Sequence, residues 1–510
     1  MAAPQEEKRV SLKLLVNKET NKVVLAEAGK DFVDVLLSFL TMPLGTISRL
    51  VQKDSDMGTV EVGCLSSLHQ SVTNLQKYLW TETCKEMLLG PRSSSEDYCR
   101  SLKLNIDDTR PTKYFMCTNL PNCSHNLLST FKNERCDCGH LLSRLVSFQS
   151  DKVYGFVNDV ATFIVTDDLV VIPNAVDTCF GVLEKCGVKC SDSVEEMTVI
   201  VTKKKVLDLL KCSLLSKSTL TDLFLIKKQL LENSSFSPPI VENSSTIQIK
   251  VKLIMRKSDG KILFAEGEED FADFLLSFLT FPLGGVVRML GGFASLGSID
   301  GLYKSIVDLN ENKYLIAKGL KNRLVDPSLP PQFRLSMQMF PIDEQEASPY
   351  YCYYHPSGFR ESIYYNKFYI ANGCRSDDKN SEIYKVLKLV DLKSSSGRLK
   401  GYAKGPAMFM ATDDLVVEPM SPTSGLSLIN RLKTPLNDLK EKVVTIGIKE
   451  ALSILKASLT SRSALTNGLS HLLTEVVEVK WYVLLALFCS GFKILYISIV
   501  LYFSVSSLVE

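Results

Sequence analysis

One segment occurs twice in this chain of 510 residues and constrains its fold more than any other feature. Residues 31–45 read DFVDVLLSFLTMPLG, and residues 270–284 read DFADFLLSFLTFPLG. The two copies are 239 residues apart (270 − 31). The chain is therefore predicted to contain one folding unit written twice.

Each copy of this segment is predicted to form a helix with one apolar face. The apolar residues of the first copy recur at helical spacing, and they are Phe32, Val35, Leu36, Phe39 and Leu40. The polar residues fall on the opposite side, which we interpret as a solvated face, and they are Asp31, Asp34, Ser38 and Thr41. Aspartates in a first helical turn suit the positive end of the helix dipole. A catalytic or metal-binding role for these aspartates is the alternative.

Further stretches match in the same order in both halves of the sequence. Two β-hairpins are predicted, one at residues 10–16 and 22–28 and one at residues 250–255 and 261–266. Helices are predicted at about 62–78 and 296–309. A strand with an Asp-Asp turn matches between residues 163–173 and 409–419. A helix followed by a Ser-rich break matches between residues 205–221 and 450–466.

These matches predict how the chain divides. The predicted parts are a first repeat domain at 1–232, a linker at 233–247, a second repeat domain at 248–470 and a tail at 471–510. The Ser, Asn and Pro content of the linker cannot build a core. The predicted fold class is α+β, with two tandem copies of one hairpin-plus-helices domain followed by a C-terminal apolar helix.

Composition and missing motifs argue against several classes of function. The net charge of +2 provides no global basic field that would recruit nucleic acid. The sequence has no dinucleotide-binding, Walker A, His-Glu-x-x-His or Gly-x-Ser-x-Gly motif, which favours a protein that is not an enzyme. The 14 cysteines, without a secretory signal, favour a reducing, intracellular compartment.

A candidate zinc site is formed by four cysteines in one short stretch, namely Cys117, Cys123, Cys136 and Cys138. Structural zinc takes four such ligands in a tetrahedron, commonly delivered as two close pairs. His125 and His140 are nearby substitutes, and unpaired thiols in a surface excursion are the alternative. The second copy offers only three candidates, which are Cys352, His355 and Cys374. Four protein ligands leave no position for water, so the predicted zinc is structural rather than catalytic.

The hairpin, the DFxDxLLSFLTxPLG helix and the TDDLVV turn together resemble a plant family catalogued as domain of unknown function 674. The resemblance spans residues 10–470. It implies tandem repeats of one domain and a zinc-ribbon-like ligand set at the cysteine cluster, although the cysteine spacing of this chain departs from that pattern. It implies no established activity, substrate or catalytic residue.

The tail contains a candidate transmembrane helix at residues 481–503. This segment is long enough to span a hydrocarbon core of about 30 Å. Its apolar side chains outweigh the insertion penalty of Lys493. The resulting tail anchor would leave both repeats in the cytosol. A buried terminal helix or strand is the alternative.

The duplicated scaffold without catalytic motifs favours a non-enzymatic interaction or scaffold protein with an unidentified protein partner. One alternative is an enzyme with a carboxylate-lined cleft between the repeats. Its candidate carboxylates are Asp167, Asp168, Asp413 and Asp414. We interpret these aspartates as turn formers instead. The other is a single-stranded nucleic-acid binder, which would stack bases on the tyrosine-rich residues 350–369. We interpret this stretch as a strand instead, and nucleic acid is the less favoured partner.

Overall fold

A computed structural model describes residues 8–120, 122–148, 155–226, 247–335, 338–342, 350–354, 368–372, 382–390 and 401–473. We call residues 8–226 the first half and residues 247–473 the second half. The predicted linker and the candidate transmembrane helix at 481–503 lie outside the described residues, apart from residue 247. Among the residues that the structure describes, no helix is both long and apolar enough to cross a membrane.

The chain forms a mixed α+β structure, which confirms the predicted class. Its strands are β1 Val10–Asn17, β2 Lys22–Gly29, β3 Tyr114–Cys117, β4 Leu127–Ser129, β5 Glu134–Arg135, β6 Leu141–Phe148, β7 Thr162–Thr166, β8 Val171–Pro173, β9 Val194–Val201, β10 Ile249–Arg256, β11 Ile262–Gly267, β12 Tyr350–Tyr354, β13 Phe368–Asn372, β14 Glu382–Leu389, β15 Phe409–Thr412, β16 Val417–Pro419 and β17 Leu439–Ile446.

The α-helices connect and cover these strands. They are α1 Lys30–Thr41, α2 Leu44–Val51, α3 Leu65–Asn74, α4 Glu82–Leu89, α5 Glu96–Cys99, α6 Val176–Lys185, α7 Lys203–Leu215, α8 Thr219–Thr221, α9 Glu269–Ser277, α10 Leu283–Met289, α11 Ile299–Asp308, α12 Glu311–Tyr314, α13 Leu320–Val325, α14 Pro422–Arg431, α15 Ile448–Thr460, α16 Ala464–Gly468 and α17 Ser470–Leu473. Short 3-10 turns occur at Gln76–Tyr78, Ser191–Ser193, Phe278–Thr280, Pro331–Phe333 and Leu436–Asp438, and a π turn occurs at Asp222–Ile226.

Each half builds one five-stranded sheet, and the two sheets have corresponding strand orders. The first sheet runs β8-β7-β2-β1-β9, and the second runs β16-β15-β11-β10-β17. Both predicted hairpins form, because β1 pairs antiparallel with β2 and β10 with β11. The second hairpin turns at Gly260, whose φ of +72° is in the left-handed region that glycine adopts without a steric penalty.

The predicted solvated face of α1 is wrong. Asp34, Ser38 and Thr41 are only 2%, 3% and 1% exposed. Helix α1 is covered on this side because it contacts α10 and α13 of the second half as well as its own sheet. The hydroxyls meet their need for partners within the helix, since Ser38 Oγ donates to the Val35 carbonyl at 2.7 Å and Thr41 Oγ1 to the Ser38 carbonyl at 2.9 Å.

The two halves exchange a helix. Helix α3 of the first half packs on the second sheet, where Ser71 Oγ accepts a hydrogen bond from the Val417 amide at 2.9 Å. In the reciprocal contact, α11 packs on the first sheet, and Ser305 Oγ accepts from the Val171 amide at 2.8 Å. The sheet of each half is therefore completed by a helix of the other.

The exchange is reinforced by paired backbone hydrogen bonds between the halves. The Leu44 amide donates to the Phe281 carbonyl and the Leu283 amide to the Met42 carbonyl, both at 2.9 Å. The same reciprocity holds for Cys64 with Ser458 and for Ser298 with Ser213, at 2.7 Å and 2.8 Å. One hydrophobic cluster accordingly contains side chains from both halves.

The inserted segments of the two halves share a third sheet, which we call the excursion sheet. Its strand order is β13-β12-β14-β4-β3-β6-β5. Strand β14 of the second half runs parallel to β4 of the first, and β13 runs parallel to β6. A separate hydrophobic cluster lies within this sheet and includes Met116, Val146, Cys352 and Ile370.

Candidate metal centre

The four cysteines of the candidate zinc site lie at one end of the excursion sheet. Cys117 is the last residue of β3, and Cys123 lies in the loop that follows. Cys136 and Cys138 lie in the tight turn between β5 and β6. In this turn the Cys136 amide donates to the His140 carbonyl and the Gly139 amide to the Cys136 carbonyl, both at 2.8 Å. The hydrogen bonds hold both thiols of the turn on one side.

The structure brings all four thiols together, with their sulfur atoms within 4.8 Å of one another. Cys117 Sγ lies 3.4 Å from Cys138 Sγ, and Cys123 Sγ lies 3.6 Å from both Cys136 Sγ and Cys138 Sγ. These separations are too long for a disulfide, whose S–S bond is about 2.0 Å. A tetrahedral zinc ion with Zn–S bonds of about 2.3 Å would place its sulfur ligands about 3.8 Å apart. The four residues therefore fit a tetrahedral thiolate site.

The surroundings of the cluster also suit a structural site. Cys117, Cys123 and Cys136 are buried, while Cys138 is partly exposed, and Leu142 packs beneath them. The two predicted substitutes stand at the rim, with His140 Nδ1 3.7 Å from Cys138 Sγ and His125 Nδ1 4.0 Å from Cys123 Sγ. Neither histidine belongs to the group of four converging ligand atoms.

The pKa shifts of Cys117, Cys136 and Cys138 run in opposite directions. Burial raises the pKa of Cys136 to about 12 and raises the pKa of Cys117 as well. A backbone hydrogen bond at His140 lowers the pKa of Cys138 to about 6. Four thiolates this close repel one another, and a divalent ion among them would offset that repulsion by its charge and favour the deprotonated form of each ligand.

The second half does not repeat this cluster within the described residues. Cys352 is fully buried in β12, where it is part of the core of the excursion sheet. The other two candidates, His355 and Cys374, lie outside the described residues. Strands β12 and β13 confirm the strand interpretation at the two ends of the tyrosine-rich stretch.

The Asp-Asp pairs connect strands to helices, as turn formers do. Asp167 accepts hydrogen bonds from the Thr221 amide and hydroxyl, both at 2.7 Å. The same hydroxyl accepts from the Val23 amide at 2.9 Å, so it links the closing helical segment to β2. In the second half the Thr466 amide donates to Asp413 at 2.8 Å. The next residues, Asp168 and Asp414, accept from the hydroxyls of Thr166 and Thr412, both at 2.5 Å.

Two further aspartates have a role that the sequence patterns missed. Asp34 Oδ1 accepts hydrogen bonds from the Phe156 and Val157 amides at 2.7 and 3.0 Å. Asp273 Oδ1 accepts from the Tyr402 and Ala403 amides, both at 2.7 Å. Each aspartate thus binds the segment that follows the excursion sheet in its half of the chain. The missed signal was a short match at the receiving end, Gly-Phe-Val at 155–157 and Gly-Tyr-Ala at 401–403.

The fold and the thiol cluster define a mixed α+β protein with a candidate structural metal site. The chain belongs to the family described as "Protein of unknown function (DUF674)", whose model matches residues 6–449. No curated protein and no solved structure matches the chain.

Proposed function

We propose that this protein is a non-enzymatic interaction or scaffold protein whose excursion sheet is held together by a structural zinc ion. The observation that supports the proposal most directly is the convergence of four thiols at near-tetrahedral spacing. A further observation is that two candidate catalytic carboxylates make structural hydrogen bonds: Asp167 accepts from the amide and hydroxyl of Thr221, and Asp413 accepts from the Thr466 amide.

Zinc at this position would stabilise the excursion sheet. Strand β5, at the edge of the excursion sheet, contains only two residues, which is below the usual strand length of about 3–10 residues. The ion would tie Cys117, at the end of β3, to Cys136 and Cys138, in the turn before β6. Zinc binding would then contribute directly to folding of the excursion sheet, as it does in small zinc domains.

The zinc proposal is tested by metal analysis of the purified full-length protein. We expect about one zinc ion per chain. The variants Cys117→Ser and Cys136→Ser should lose the ion, because each removes one of four thiolate ligands. The matched control is Cys190→Ser, which changes an exposed cysteine outside the cluster and should retain the ion.

Hydrogen exchange shows whether the metal is structural. Chelation should increase amide exchange in residues 114–148, while β1 and β2 remain protected because they belong to a different core cluster. If chelation removes the metal and the amide exchange pattern stays unchanged, the proposal is contradicted.

The interaction part of the proposal is tested by capture of partners on the full-length protein. The Cys117→Ser variant serves as a control that shows whether binding uses the metal-supported sheet. Failure to capture a stable partner, combined with turnover in an activity screen, would count against an interaction protein. Turnover that is lost in Asp168→Asn and Asp414→Asn would favour the carboxylate-cleft enzyme instead.

We further propose that the two halves arose by tandem duplication. The supporting observations are the repeated segment, the corresponding strand orders and the reciprocal hydrogen bonds between the halves. The duplication also supports a scaffold, since the two exchanged halves share one hydrophobic core.

We also propose that residues 481–503 anchor the chain in a membrane. The support is their apolar length alone. Full-length protein should float with liposomes in a density gradient, whereas a chain that ends at residue 470 should stay at the bottom. Equal behaviour of the two proteins would argue against the anchor.

A further inference from the structure

A cavity of about 140 Å³ lies beside α5 in the first half. Its lining residues all fall within the segment 92–111, which the structure describes without a gap. Arg100 and Pro111 of the lining are exposed, so the cavity opens to solvent. An engineered protein cavity of about 150 Å³ binds benzene, so this cavity has room for a ligand of about six heavy atoms.

Four charged side chains line the cavity, and two of them neutralise each other. The four are Arg92, Glu96, Arg100 and Asp107. Arg100 Nη2 lies 2.5 Å from Glu96 Oε1, and the Thr112 amide donates to the same carboxylate at 3.0 Å. The Glu96–Arg100 pair therefore needs no counterion from a ligand.

The other two charges, on Arg92 and Asp107, have no ionic partner. Among the residues that the structure describes, neither side chain forms a salt bridge, and the two do not contact each other although they line one cavity. Arg92 is nevertheless held in place, because its Nη1 donates to the Thr130 carbonyl at 3.1 Å and its Cζ lies 4.2 Å from the centre of the Phe131 ring. One cavity thus presents a fixed positive charge and a separate negative charge.

Three polar groups of the cavity also have unused hydrogen-bonding capacity. Arg92 engages one of its five N–H donors, the one on Thr130. Asp107 accepts from the Thr109 amide at Oδ1, at 2.9 Å, while its Oδ2 accepts from none of the described residues. Asn105 Oδ1 accepts from the Asp107 amide at 2.9 Å, and in the same part of the chain its Nδ2 has no acceptor. The cavity therefore offers donors to an anion and an acceptor to a cation.

We infer that this cavity binds a small zwitterion, namely a free α-amino acid of about the size of alanine. Arg92 and Asn105 would hold its carboxylate, since the guanidinium group donates parallel hydrogen bonds to a carboxylate. Asp107 would accept from its ammonium group. A simple anion suits the cavity less well because Asp107 repels it, and a simple cation suits it less well because Arg92 repels it.

The test uses L-alanine as the probe, with the full-length protein at pH 7. Titration calorimetry should show saturable binding of alanine. Propionate lacks the ammonium group and ethylamine lacks the carboxylate. Each of these analogues should bind at least about tenfold more weakly than alanine, because each leaves one polar end of the cavity unpaired.

A substitution tests the negative end of the cavity. Asp107→Asn should weaken alanine binding at least about tenfold, since it removes the charge but keeps an oxygen for the Thr109 amide. The same variant should bind propionate at least as well as the parent protein does, because a repelling carboxylate is gone. Asp108→Asn is the matched control, since this carboxylate pairs with Arg49 and Lys53 outside the cavity lining, and it should preserve alanine binding.

Three results would overturn the inference. One is the absence of saturable alanine binding up to about 10 mM, which corresponds to an affinity too weak for a built site. Another is equal binding of propionate or ethylamine, which would mean that only one of the two charges is recognised. The third is an equal loss of alanine binding in Asp107→Asn and Asp108→Asn, since binding would then follow the local charge rather than this cavity.

Discussion

The first half, expressed alone as residues 1–232, will fail to form a stable folded monomer. Coexpressed with residues 233–473, which leave out the proposed membrane anchor, it will form a soluble one-to-one complex. The reason is the exchange of α3 and α11, because each of the two main sheets is covered by a helix that the other half supplies. Circular dichroism, thermal unfolding and light scattering after size exclusion distinguish these outcomes.

The expected loss is large because the exchanged helices are buried. In α3, Leu68 and Val72 are fully buried, and in α11 Leu302 and Ile306 are no more than 1% exposed. Exposure of one such side chain removes about 1.5–3 kcal/mol, while a whole domain is stable by only about 5–15 kcal/mol. A cooperative, monomeric first half would contradict this account.

A point substitution tests the same interface in the intact chain. Gly63 has a φ of +49°, and a Cβ atom there would lie 2.2 Å from the Ser458 carbonyl oxygen of the other half. Gly63→Ala should therefore destabilise the protein by at least about 3 kcal/mol, since both the conformation and the contact are unfavourable. The control is Gly58→Ala. Gly58 also has a left-handed φ, of +70°, but a Cβ atom there would have no other atom within 4 Å. It should cost only about 1 kcal/mol.

Local elements were predictable because their signals are local. The hairpin strands and the repeated helix follow from periodicity and from turn residues that lie next to one another. The zinc candidates were predictable for a similar reason, since Cys117 and Cys138 are close in sequence. The strand interpretation of the tyrosine-rich stretch is correct at β12 and β13, because tyrosine favours strands.

The exchange of helices was not predictable, because a helical pattern does not state which sheet the apolar face will cover. The burial of Asp34 escaped for the same reason. Its partners are the amides of Phe156 and Val157, more than a hundred residues away, and the polar side of an amphipathic pattern is solvated only when nothing else covers it. The excursion sheet likewise draws its strands from both halves, which no repeat pattern indicates.

Replacement of Asp34 by alanine should be one of the most destabilising changes in the chain. It removes the acceptor of two backbone hydrogen bonds and leaves the Phe156 and Val157 amides unsatisfied in the core. Hydrogen bonds to a charged group contribute about 1.5–3 kcal/mol each, so we expect a loss of about 3–5 kcal/mol in the free energy of unfolding. Asp31→Ala, at a side chain that is 45% exposed, should change stability by less than about 0.5 kcal/mol. Urea unfolding of the two variants measures the difference.

Asparagine separates the hydrogen bonds of these aspartates from their charge. At position 273 it retains an oxygen for the Tyr402 and Ala403 amides while it removes the buried charge. The pKa of Asp273 is raised to about 7, mainly by burial, from an ordinary value of 3.8. The folded state therefore binds the proton more tightly than the unfolded state, so this side chain's contribution to stability is fully present below pH 4 and is lost as the pH rises to 7.

Asp273→Asn should accordingly be more stable than the parent protein at pH 8, by roughly 3–4 kcal/mol at most, and should lose this advantage at pH 4. Asp34→Asn should gain less at pH 8, because burial raises the pKa of Asp34 only to about 6 and the change also removes the partner of Lys30. Urea midpoints of both variants and the parent at the two pH values provide the test. An equal gain for both variants would mean that Lys30 does not compensate Asp34, and no gain for Asp273→Asn would mean that its carboxylate is already neutralised in the folded protein.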